Sequence, residues 1–137
     1  MQWRTAARAP SVAHVGGPLQ ILVADRNALV VEALEDLFVE LSDATVITAG
    51  SLLETLAIAQ RAQPELIVVD AWMGADAASA VRQVLECSPR SAVFVMATSS
   101  DEEFERRMRR AGAAGAFEKE RMPAVAQSIL DSVRARR

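Results

Sequence analysis

Two aspartates and one lysine stand at the ends of short apolar runs. Asp25 closes Gln20-Ile21-Leu22-Val23-Ala24, Asp70 closes Leu66-Ile67-Val68-Val69, and Lys119 follows the segment Ala113 to Glu118. These residue types suit one chemistry. Two carboxylates and an ammonium can hold a hard cation together with a phosphoryl group, because Mg²⁺ takes oxygen ligands and lysine offers phosphate a point charge. An aspartate can also be the nucleophile that receives the phosphoryl group. Other chemistries lack their parts. A single cysteine, Cys87, and a single histidine, His14, leave no set for a zinc site and no internal disulfide. No G-x-G-x-x-G follows the first apolar run, which argues against a dinucleotide site.

The elements that must position these groups can be read from periodicity. Leu66 to Val69, bounded by Pro64 and Gly74, fits a strand buried on both faces of a parallel sheet. Gln20 to Ala24 is a similar run, and from Asn27, a plausible N-cap, the spacing turns helical. Leu29, Val30, Ala33, Leu34, Leu37, Phe38 and Leu41 form its apolar stripe, opposite Glu32, Glu35, Asp36 and Glu40. Ala44 to Thr48 reads as the second strand. Ser51 with Glu54 makes a capping box opening a helix through about Ala62. After Gly74 comes an alanine-rich helix, Asp76 to Glu86, with Val81, Val84 and Leu85 inward. Ala92 to Ala97 is the fourth strand. Asp101-Glu102-Glu103 opens a helix ending in Arg106, Arg107, Arg109 and Arg110, the charge order that suits the helix dipole, with Phe104, Met108 and Ala111 inward. Gly112 caps it, Ala113 to Glu118 is the fifth strand, and a last helix follows Pro123 with Val125, Ala126, Ile129, Leu130 and Val133 buried.

Regular strand–helix alternation predicts an α/β fold, a doubly wound parallel sheet with helices on both faces. In the strand order 2-1-3-4-5, the ends bearing Asp25, Asp70 and Lys119 meet at the switch point between strands one and three. Residues 1–18 read as a disordered tail: Arg4 and Arg8 are not followed by an apolar targeting core, and Gly16-Gly17-Pro18 breaks any element. Trp3 and His14 go with the tail, and residues 19–137 form the domain. The 137 residues carry 51% hydrophobic and 24% charged residues, a globular composition. A net charge of -3 gives no electrostatic case for direct nucleic-acid binding. No membrane segment is evident, and the lone cysteine fits a reducing, cytoplasmic setting.

The sequence resembles the receiver domains of two-component response regulators, which share the flavodoxin-like five-stranded fold. The resemblance covers Leu19 to about Val133. It is carried by Ile21 to Asp25, by Leu66 to Asp70 with Met73, by Asp101-Glu102-Glu103, and by Ala111 to Lys119. It implies that Asp70 is the phosphoacceptor, that Asp25, Asp70 and the Trp72 backbone carbonyl hold Mg²⁺, and that Lys119 senses the phosphoryl group. It implies a histidine kinase or phosphotransfer protein as donor. It also implies a downstream protein partner on the face of helix four, strand five and helix five, where a homodimer could form as well. Such a domain is a signalling element rather than an enzyme.

The departures are specific. Arg26 stands where the family has a second acid, Ala97 where it has Thr or Ser, with Thr98 one place on, and Ala116 where it has the switch aromatic. Phe117 is adjacent, but a one-residue offset points a strand side chain to the opposite face. Gly74 and Glu120 replace two prolines. Arg26 has two placements: inward at about 4 Å from Asp70, its attraction would be about 4 kcal/mol at an effective dielectric of 20 before desolvation, competing with Mg²⁺; outward, Asp25 and Asp70 remain available. The alternative function is therefore a degenerate receiver that binds a partner independently of phosphorylation. The plain readings are Asp70 as a helix cap, Asp25 as a turn residue and Lys119 as a solvated strand end.

Overall fold

The apolar runs fold as strands and the amphipathic stretches as helices in a computed structural model that describes residues 3–5, 17–74 and 76–137. In chain order the elements are β1 (Trp3–Thr5), β2 (Gln20–Ala24), α1 (Ala28–Leu41), β3 (Thr45–Ala49), α2 (Leu52–Ala62) and β4 (Leu66–Asp70). They continue with α3 (Ala77–Cys87), β5 (Ala92–Ala97), α4 (Glu102–Arg110), β6 (Gly115–Glu118), a 3₁₀ turn (Lys119–Arg121) and α5 (Met122–Ala135). The sheet order is β1-β3-β2-β4-β5-β6. Strands β2 to β6 are the five expected, all parallel and in the order 2-1-3-4-5.

The sixth strand departs from the expected tail. Trp3–Thr5 pairs antiparallel with β3, Trp3 opposite Ile47 and Thr5 opposite Thr45. The expectation for His14 lies outside the described residues.

Every residue of β4 is buried, because β2 and β5 flank it and helices cover both faces. One apolar cluster joins Leu19, Val23, Phe38, Met96, Phe117 and Leu130 against α1 and α5. The other joins Leu22, Ile47, Ile67, Val84, Met108 and Ala116 against α2, α3 and α4. Ala116 and Phe117 thus face opposite layers, as strand alternation requires.

The caps are local. Asn27, Ser51, Asp76 and Asp101 each accept a backbone N–H of the first turn with their side chains. In the Ser51 box the Glu54 carboxylate reaches one residue further back, to the Gly50 N–H at 2.7 Å. Gly112, φ +113°, follows the end of α4, and a Cβ there would stand 2.5 Å from Leu85 Cδ1. The end of α5 is pinned: Arg137 donates to both Glu65 oxygens at 2.7 and 2.8 Å, and Arg134 pairs with Asp43 at 3.2 Å.

The α1 stripe is rotated from the predicted one. Leu29 is 77% exposed and Glu35 is buried, and Ala33 is exposed. The buried arc is centred on Leu34, Glu35 and Phe38, so the helix sits on the sheet along that line and leaves its first turn outside. No helix among the described residues is long and apolar enough to cross a membrane.

Candidate functional site

Asp25 immediately follows β2, and its placement is set by two backbone contacts. Its N–H donates to the Ala49 carbonyl of β3 at 3.1 Å, and its Oδ1 accepts the Asn27 N–H at 2.8 Å. The second contact ties the carboxylate into the start of α1. Asn27 is more than a cap: the Asp-x-Asn spacing, an Asx turn, also marks it as the support for Asp25. Asp70 is the last residue of β4, and the next residue is held by the adjacent strand through Ala71 N–H to Met96 O at 2.8 Å.

Lys119 lies two strands from β4, beyond β5. Its long side chain crosses the end of β5, where Ala97 places only a methyl group. The ammonium reaches Asp25 Oδ2 at 2.7 Å and Asp70 Oδ1 at 3.0 Å. The three groups that the sequence placed at strand ends therefore form one cluster. Apart from the ammonium, neither of those two oxygens has a hydrogen-bond partner among the described residues, and both are sealed from solvent. Partial burial alone would push the Lys119 pKa down. The contacts with Asp25 and Asp70 outweigh that effect, and the net shift is upward, so the ammonium is held charged.

Arg26 takes the outward placement. It is exposed, makes no ion pair among the described residues, and lines a depression with Glu32 and Glu54. The competition with a cation at Asp70 thus comes from Lys119. Ala97 is buried and Thr98 is exposed, so the hydroxyl one place beyond the strand does not replace one at its end. Ala116 is buried among the α2–α4 layer, while Phe117 tilts against Phe94 on the other face, ring centroids 6.4 Å apart. The Trp72 side chain is 64% exposed at the mouth of the β4–α3 connection.

The residues present can serve a hard cation. Asp25 Oδ2 and Asp70 Oδ1 converge on the Lys119 ammonium, so an ion that keeps several waters and takes further oxygens from phosphate would use the two buried carboxylates as the ammonium gives way. Among the described residues no group of three or more His, Cys, Asp or Glu side chains gathers as a metal site.

No family model matches the sequence, and no curated protein matches it. Solved structures do. The signal receiver domain of a DNA-binding response regulator from Colwellia psychrerythraea 34H superposes with a TM-score of 0.77 at 16% identity, over 85% of this chain and 98% of that one. The fold is that of a receiver domain. A response regulator from Thermotoga maritima gives a TM-score of 0.75 at 19% identity, over 84% and 96% of the two chains. A two-component response regulator of the LuxR family from Aurantimonas sp. SI85-9A1 gives 0.77 at 20% identity, over 87% of each. On the receiver fold the Asp25–Lys119–Asp70 cluster occupies the carboxyl edge of the sheet, the edge where open α/β sheets bind their ligands.

Proposed function

We propose that the protein is a two-component signalling receiver that accepts a phosphoryl group on Asp70. The observation that carries this reading is the ammonium of Lys119 bridging two buried carboxylates at the strand ends. In the transfer, an Asp70 oxygen attacks phosphorus of a phosphohistidine on a histidine kinase or phosphotransfer protein. The P–N bond breaks, an acyl phosphate forms, and the imidazole leaves. Lys119 is already within reach of the acquired charge, so its point charge can follow a phosphoryl oxygen while it releases Asp70. Mg²⁺, bound through Asp25, Asp70 and the Trp72 backbone carbonyl, would supply charge neutralisation for the phosphoryl oxygens. The acceptor acts once per signal, so it is a switch rather than an enzyme, and its expected compartment is the cytoplasm.

The output side is the face of α4, β6 and α5, offered to a downstream protein or to a second copy. A second reading has its own support. With Ala97, Ala116 and the outward Thr98, the strand ends lack the hydroxyl and the aromatic ring through which a phosphoryl group would move that face. In this reading the same face binds its partner constitutively.

The test is intact mass after incubation with acetyl phosphate, with and without Mg²⁺, on wild type and Asp70→Asn. A phosphoryl adduct that needs Mg²⁺ and is absent from Asp70→Asn is expected. No adduct in wild type overturns phosphoacceptance and leaves the constitutive binding module.

A further inference from the structure

One residue past Asp70, a cleft of about 370 Å³ opens between the β4–α3 and β5–α4 connections. It is lined by Trp72, by Phe104 and Arg107 of α4, and by Ala71, Ala77 and Ala97. The volume falls in the range of small-molecule sites, and the lining mixes apolar and polar groups. The cleft adjoins the Asp25–Lys119–Asp70 cluster, since Ala71 follows Asp70 and the Trp72 backbone carbonyl is one of the groups proposed to hold Mg²⁺, but the side chains of Trp72, Phe104 and Arg107 lie outside that cluster.

Two features point to what it takes. The Trp72 indole is 64% exposed and makes no hydrogen bond or ring contact among the described residues. The Arg107 guanidinium lies over the Phe104 ring, 5.5 Å from its centroid. Unlike Arg106 and Arg109, which pair with Glu102 and Glu105 on their own helix, Arg107 makes no ion pair among the described residues. The ring contact leaves the guanidinium's donors available to a carboxylate. Asp76, which also lines the cleft, and the neighbouring Asp101 each give one oxygen to a helix cap, at the Ser79 and Phe104 N–H groups, and Glu103 stands in the adjoining groove. The hydroxyls of Thr98 and Ser99 complete the lining.

We propose that this cleft binds a small planar aromatic carboxylate, its ring stacked on Trp72 and its carboxylate forked by Arg107. This goes beyond phosphoacceptance and does not depend on it. The test is calorimetric titration of the full chain with 2-naphthoate and with its neutral relative 2-naphthamide. One-to-one binding of 2-naphthoate is expected. Arg107→Gln should weaken it about tenfold, the loss of a charge-assisted fork, and Trp72→Ala about fivefold, the loss of a stacking partner. The amide should bind wild type about as weakly as the carboxylate binds Arg107→Gln. Asp70→Asn and Trp3→Phe should leave binding unchanged, which separates this site from the phosphoryl pocket and from the other tryptophan. Both cleft variants alter exposed side chains, and circular dichroism checks that they fold. No binding at millimolar probe, or affinity unchanged in both cleft variants, overturns the proposal.

Discussion

At the residue scale, the electrostatics of the carboxylate pair rest on Lys119. Lys119→Met leaves two buried carboxylates without their ammonium, and a loss of about 3 kcal/mol is expected in urea unfolding at neutral pH. A loss below about 1 kcal/mol would mean that water already compensates the acids. The same contact gives an alkaline signature. Because the folded-state pKa of Lys119 is raised, its stabilisation is complete below the ordinary value of 10.5 and is lost as pH rises through the higher folded value. Wild type should therefore show a decline in stability over that range that Lys119→Met lacks, read as unfolding midpoints at successive pH values. Arg26 makes the complementary case. Exposed and without an ion pair among the described residues, it contributes a positive charge beside Asp25, and Arg26→Asp adds a third carboxylate. Mg²⁺ affinity, followed by calorimetry, should rise about tenfold; an unchanged affinity would place position 26 out of reach of the ion. The identities of Asp25, Asp70 and Lys119 were legible from the sequence because each ends an apolar run. The orientation of Arg26 was not, since a loop side chain next to a strand end is steered by neighbours that sequence spacing does not specify.

At the element scale, the close approach of α4 to α3 is set by Gly112. Alanine there must adopt a positive φ and also meet Leu85 Cδ1 at 2.5 Å. Gly112→Ala is expected to cost about 2 kcal/mol in urea unfolding, with Leu85→Ala relieving the contact but not the backbone strain. The helices and parallel strands were legible because their caps and periodicities are local: Asn27, Ser51, Asp76 and Asp101 mark four helix starts, and each accepts its first-turn N–H. The rotation of α1 was not legible. Leu29 fits the apolar stripe by type, yet it lies in a first turn that the sheet does not reach, while Glu35 is carried inward by the same rotation. Burial there depends on where the helix lands, a tertiary choice. Similarly, the Phe104–Arg107 pair follows i,i+3 spacing on one helix, but the cleft it lines needs Trp72 from another element.

At the scale of the whole molecule, β1 was hidden because three residues without strong alternation carry no periodic signal, and their pairing partner lies some forty positions away. The feature has a consequence for self-association. A sheet invites growth wherever a long unpaired rim is offered to another chain. Here one rim is β1, three residues, and the other is β6, four, so a foreign strand would gain few ladder bonds at either side. Removing residues 1–5 would turn the five-residue β3 into a rim. The truncated chain is expected to keep its unfolding free energy within about 1 kcal/mol, as a short edge ladder contributes little. It should nonetheless scatter more light on concentration and warming. Equal scattering by both chains would contradict a shielding role. The N-terminal strand is in this sense a guard against sheet-to-sheet aggregation, and its value lies in the contacts it forestalls.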